Sequence, residues 1–171
     1  VGHGEIRDVT GHHHTVRHPG ESRAFHFEST WQVPASADAV WDAMARTETW
    51  ATWWPGISAT EVEQDGDERT GVGTRVRCTV RSPLVRALVF TWELTRAEQP
   101  RVADVAVAGD LRGIGRWRCE DGADGTARIH ILWCVTTRRW PLRIVRLIAR
   151  KGHDTVMRRG RDGLARSLAA T

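Results

Sequence analysis

The chain has 171 residues, of which 40% are hydrophobic and 27% charged, with a formal net charge of +4. That length suits one domain around one core, and no apolar run nears the ~18 residues that cross a bilayer, which excludes stable membrane insertion through a helix. Positive residues are scattered singly, with "MRRGR" at 157–161 the nearest to a cluster, so the charge pattern does not point to nucleic acid.

Residues 1–22 are rich in Gly, His and charge, lack an apolar period, and read as a flexible leader ahead of a single domain over 23–171. They also lack the apolar core of a secretory signal, which points to the cytoplasm. His12, His13, His14 and His18 carry donor nitrogens, but in a solvated tail we assign them no metal. Cys78, Cys119 and Cys134 lie in apolar, strand-like stretches without CxxC spacing, which reads as buried reduced thiols. Neither metal nor cofactor is expected.

From Arg23 to Val33 the residues Phe25, Phe27, Ser29, Trp31 and Val33 alternate with Ala24, His26, Glu28, Thr30 and Gln32, the pattern of a half-buried strand. The stretch "PASADAVWDAMARTETWATWWPG" then changes to helical spacing. Ser36 is the expected N-cap, Asp38 sits in the first turn, and Pro55-Gly56 ends the segment. Its threonines predict two short helices with a bend near Arg46–Glu48.

Turn signals at 64–71, 81–84, 98–100, 109–113 and 120–125 separate runs at 57–63, 72–80, 86–96, 102–108, 114–119 and 126–137. These read as a six-stranded antiparallel meander. In 86–96 Leu88, Phe90, Trp92 and Leu94 share a face, and in 126–137 Ile129, Ile131, Trp133 and Val135 do, opposite His130, Leu132 and Cys134.

From Pro141 to Ala170 apolar residues recur at spacings of three and four, predicting a long amphipathic helix with Pro141 near N1. Its glycines at 152, 160 and 163 each cost about 1 kcal/mol relative to alanine. Three compensations are open: a close backbone approach, a kink, or room for a guest. The element order implies an α+β domain in which a strongly curved, seven-stranded antiparallel sheet wraps the last helix and leaves a cavity between them.

The stretches "VPASADAVWDAM" at 33–44, "WATWWPG" at 50–56, "GVGTRVR" at 71–77, "GDLRGIGRW" at 109–117, "GTARIHILWCVTT" at 125–137 and "GHDTVMRRGRDGLARSL" at 152–168 resemble, in order and spacing, the START-like (SRPBCC, birch-pollen-allergen-like) superfamily. Within it the chain resembles the bacterial polyketide cyclase/dehydrase and lipid-transport group. The resemblance implies a helix-grip fold whose tunnel, between sheet and long helix, takes up a small hydrophobic ligand. Members include both carriers and enzymes, so fold does not decide activity.

Trp50, Trp53 and Trp54 fall where the resemblance places the tunnel mouth, with Trp50 and Trp54 expected inward and Trp53 nearer the rim. Phe90, Trp92, Trp117, Ile131 and Trp133 are assigned to the inward register of their strands. His153 and Met157 are assigned to the helix face toward the cavity. Indoles on both sides favour flat or fused-ring guests.

For a polyketide cyclase or dehydratase, His153 is the candidate base, with Arg77 and Arg116 as candidate cations; a surface position for His153 is the alternative. Asp154 and Arg158 are spaced for an i, i+4 ion pair. The basic helix surface of Arg158, Arg159 and Arg161 lacks the aromatic platforms of a nucleic-acid site. The expected partner is the small hydrophobic ligand, bound by a monomer or homodimer.

Overall fold

The computed structural model describes residues 15–81, 87–139 and 146–170. One seven-stranded antiparallel sheet has the order β1-β7-β6-β5-β4-β3-β2. Its strands are β1 (Phe25–Val33), β2 (Ile57–Gln64), β3 (Arg75–Val80), β4 (Leu88–Glu98), β5 (Val102–Gly109), β6 (Leu111–Asp121) and β7 (Ala127–Thr137). The meander runs from β2 to β7, and β1 closes the far edge by pairing with β7. Register shifts at Ile57/Ala59, Val62/Gln64 and Leu94/Arg96 supply the bulges that bend such a sheet.

Two short helices, α1 (Ala37–Ala45) and α2 (Trp50–Trp53), follow β1, and the long helix α3 (Arg146–Ala169) follows β7. This is the expected helix-grip arrangement. The start assigned to α3 at Pro141 lies outside the described residues, as does the histidine run at 12–14.

Ser36 caps α1 by accepting from the Ala39 amide at 3.2 Å. Asp121, at the end of β6, takes the Ala37 amide at 2.9 Å. These two acceptors satisfy donors that the first turn leaves free, and the second ties the helix to the sheet. At the bend the Thr49 hydroxyl donates to the Arg46 carbonyl, so local side-chain bonding competes with the helix where the threonines predicted it. A 3-10 turn over Thr47–Thr49 bridges the gap to α2.

Two strand starts differ by three residues from the sequence reading. β6 begins at Leu111 rather than near 114, because Gly109-Asp110 alone make the turn. Asp110 accepts from the Val89 amide at 2.9 Å and from Arg139 at 2.8 Å, which holds that turn closed. Gly113 and Gly115 are strand residues at close approaches: a Cβ on Gly115 would lie 2.5 Å from the Trp133 ring. Conversely β3 starts late, at Arg75, since Gly71 and Gly73 adopt positive φ and belong to the turn.

The described part of the leader is exposed over 16–20 but anchored at Thr15 and at the buried Glu21 and Ser22. Thr15 donates through its hydroxyl to the Cys134 carbonyl at 2.6 Å, and its amide meets the Cys134 sulfur. Cys134 is thereby covered on the outer face and buried, as expected of its thiol. Glu21 is buried and receives Arg112 twice, at 2.8 and 2.6 Å, the Thr136 hydroxyl at 2.9 Å and the His18 amide at 2.9 Å. The Arg112 guanidinium holds its carboxyl far below the usual carboxylate range. A polar hollow of about 270 Å³ beside it includes Asp110 and Arg138 in its lining. Glu21 and Asp110 are already engaged there, which marks a structural latch.

Candidate functional site

The tryptophans of "TWATWWPG" meet the C-terminal half of α3. Trp54 lies over Gly160, where a Cβ would come within 2.3 Å of its indole nitrogen, and that N–H donates to the Val156 carbonyl at 3.0 Å. Gly163 faces the Trp53 carbonyl, which a Cβ would overlap at 1.7 Å. Val156 packs in turn on Gly56, whose φ of +118° turns the chain into β2. Of the three compensations open for the helix glycines, a close backbone approach accounts for Gly163, and at Gly160 the space is taken by the Trp54 side chain.

All three indole donors of the stretch are used internally. Trp50 donates to the Met44 carbonyl at 3.0 Å and Trp53 to the Thr49 hydroxyl at 3.2 Å. Trp53 and Trp54 are each 8% exposed and stack at 5.4 Å. The rim position expected for Trp53 is therefore wrong: its ring is held against Trp54. Trp50 is the half-buried member and reaches across to stack on Trp92 of β4 at 5.7 Å.

The N-terminal half of α3 is placed differently. A Cβ on Gly152 would meet no described atom within 4 Å. His153 next to it turns inward and lies flat on Phe27 of β1, ring centroids 4.1 Å apart and planes at 12°. Its side chain is 16% exposed, so the surface alternative fails. Burial pushes the imidazole pKa down to about 4, against the weaker opposing pull of Asp154, 3.7 Å from Nδ1. The ring is neutral at neutral pH, and its Nδ1 has no hydrogen-bond partner among the described residues. Asp154 lies near the imidazole, and the expected ion pair with Arg158 does not form among the described residues. Met157 is buried with Trp54 and Leu164 in the core cluster beneath α1 and α2.

Strand pairing assembles the opposite wall. β1 and β7 set Phe27 beside Trp133 and Ser29 beside Ile131. β6 and β7 set Gly115 opposite Trp133 and Trp117 opposite Ile131. The missing side chain at Gly115 lets Trp133 lie across β6 toward Val105. Phe90 and Trp92 are each 9% exposed, and Phe90 meets the Trp133 ring edge-on at 5.9 Å. Trp117 stacks on Trp41 of α1 at 5.3 Å.

Phe27, Leu94, Val105, Trp117, Ile131 and Trp133 are half-buried although they lie on the inner face. α3 leans on β1, α1 and α2, which leaves this apolar strip of the central strands less covered than the core on either side.

The two candidate cations are elsewhere. Arg77 bonds Glu63 at 2.7 Å and Arg116 bonds Asp104 at 2.7 Å, both on the outer face. Neither faces α3. Among the described residues no three metal-ligating side chains converge, and no helix is long and apolar enough to cross a membrane.

A family model described as polyketide cyclase / dehydrase and lipid transport matches residues 24–169. The chain belongs to that family. Solved structures of related fold include the Zhui aromatase/cyclase of Streptomyces sp. R1128, with 17% identity, a TM-score of 0.65, and coverage of 86% of this chain and 94% of that one. A START superfamily protein of Mycobacterium smegmatis shows 13% identity, a TM-score of 0.68, and coverage of 85% and 97%. Norcoclaurine synthase of Thalictrum flavum, a point mutant with a transition-state analogue, shows 14% identity, a TM-score of 0.62, and coverage of 86% and 95%. A search of the curated proteins finds no match. These likenesses place the cyclase/dehydrase family member in the START-like fold.

Proposed function

We propose that this family member binds a small, flat, hydrophobic molecule between the inner face of the sheet and the N-terminal half of α3. The observation that carries the reading is the half-buried strip of Phe27, Ile131, Trp117 and Trp133 on an inner face that is buried on either side of it. Indole faces favour flat guests through stacking and area burial. The inner-face positions of the described central strands carry no Lys or Arg, so the guest is uncharged. In the same reading the protein is cytoplasmic, works as a monomer or homodimer, and uses no metal or cofactor.

A second reading, a cyclase or dehydratase acting on a polyketide-like chain, is favoured by one observation: an inward, neutral imidazole at His153 whose Nδ1 has no hydrogen-bond partner among the described residues. A pKa of about 4 is poorly matched to proton abstraction near neutrality. His153 therefore fits better as a hydrogen-bonding and stacking surface than as a base.

The test is a titration of tryptophan emission and binding heat with an uncharged fused-ring probe such as anthraquinone. Binding that is lost in Trp133→Ala and kept in Arg118→Ala supports the site. No binding to the probe, together with no co-purifying molecule in native mass spectrometry, overturns it. Turnover of a polyketide-like substrate that disappears in His153→Ala would favour the enzyme reading instead.

A further inference from the structure

The positive charge of the chain is concentrated on one element. Between Arg146 and Ala169 there are seven Arg or Lys residues against two Asp, an excess larger than the net +4 of the whole chain. On the outer face of the sheet three cations are paired: Arg75 with Glu93, Arg77 with Glu63 and Arg116 with Asp104. On α3, Arg150, Lys151, Arg158 and Arg159 are exposed, and among the described residues none of them has a carboxylate within ion-pair distance. Asp154 is beside His153, and Asp162 is taken by Arg161.

Helical spacing sets Lys151 and Arg158 on the side opposite His153 and Gly160, with Arg150 and Arg159 on the flanks. One side of α3 thus faces the sheet, and the other presents unneutralised cations along about two turns of helix or more.

We propose that this outward face of α3 docks the protein on an anionic lipid surface. Basic side chains respond to the summed field of a charged leaflet and need no individual partners. The exposed residues of the described helix include no aromatic ring, Asn or Gln to stack on or read bases, which disfavours nucleic acid. The exposed large hydrophobics among the described residues are Val16, Val62 and Val89, none on α3. The contact is therefore electrostatic and peripheral, without insertion.

Docking would also bring the open flank at Gly152 close to a reservoir of apolar molecules. That consequence alone rests on the proposed ligand site; vesicle binding is measured without ligand, so the two ideas fail separately.

The experiment is co-sedimentation of the full chain with phosphatidylcholine vesicles and with vesicles of phosphatidylcholine and phosphatidylglycerol in equal parts. The expected result is binding to the anionic vesicles only, abolished by high salt. A Lys151→Glu, Arg158→Glu, Arg159→Glu triple variant lowers the partition coefficient by more than about tenfold. An Arg81→Glu, Arg118→Glu, Arg128→Glu triple on the sheet side, with the same change in net charge, keeps most of it.

Thermal melts establish that each variant folds, and the corresponding triple to Gln, with a smaller expected loss, stands in for a reversal that does not. No binding to anionic vesicles overturns the proposal. So does equal loss from the helix and sheet triples, or binding to duplex DNA through the same residues without binding to vesicles.

Discussion

From Val156 to Leu164, α3 is fitted to the "TWATWWPG" segment atom against atom, whereas at Gly152 the same helix has no described neighbour and only the His153 ring beside it reaches the sheet, on Phe27. In the first region two glycines are present because a carbonyl and an indole occupy the space of their side chains. In the second a glycine has no described atom within 4 Å, and its neighbour is a neutral imidazole held by one ring stack. Identical residue types thus answer different demands: close approach in one half, open room in the other. The closed half holds the helix in place, which leaves the open flank at Gly152 free for the proposed guest.

The sharpest way to break this contrast is to add one methyl group in each region. Gly163→Ala drives a Cβ into the Trp53 backbone carbonyl. A backbone atom cannot move aside cheaply, so a loss of about 3 kcal/mol or more is expected in urea unfolding. A variant as stable as the parent would mean that the seam is looser than described.

The next effect is a pH dependence in the open half. His153 has a folded pKa of about 4 against an ordinary 6.5. Between those values the unfolded chain binds a proton that the folded chain refuses, so stability falls as pH drops from 6.5 toward 4. The loss is about 2 kcal/mol across that window. His153→Phe retains the stack on Phe27 and flattens this part of the profile, measured as unfolding midpoints across the window.

Smaller again is Trp54→Phe, which keeps an aromatic ring over Gly160 but removes the hydrogen bond to the Val156 carbonyl. A destabilisation of about 1 kcal/mol is expected, with little change in any ligand affinity. Smallest is Gly152→Ala. With no described neighbour to strike, it gains helix propensity and raises stability by about 0.5–1 kcal/mol. Opposite signs for alanine at 152 and at 163 would sharpen the comparison most simply in thermal melts.

Much of this was legible in the residues. Alternation in β1, β4 and β7, the Ser36 cap and the Pro55-Gly56 stop are local chemistry, and local chemistry fixes element type and order. The helix glycines were visibly anomalous, but which compensation applied to which glycine depends on contacts more than 100 residues apart in sequence, such as Trp54 with Gly160. Trp53 was misplaced for the same reason, since helical spacing cannot tell a ring packed on its neighbour from one at a rim.

Gly113 of "GDLRGIG" read as a turn residue because a strand glycine is recognised only through what lies over it, here the Cys134 carbonyl. Glu21 and Thr15 looked solvated because their partners, Arg112 and Cys134, come from distant strands. Arg77 and Arg116 alternate onto the outer face, and that alternation was present in the sequence before any contact was known.

The central claim is that α3 is closed over its C-terminal half and open around Gly152, where the proposed ligand sits. Amide hydrogen exchange resolved along the helix, with and without an uncharged fused-ring probe, tests it directly. The account predicts slow exchange from 157 to 168 in both states and faster exchange from 150 to 156 that slows when the probe binds. Uniform protection along α3 without the probe, or protection gained only in the C-terminal half, would contradict it.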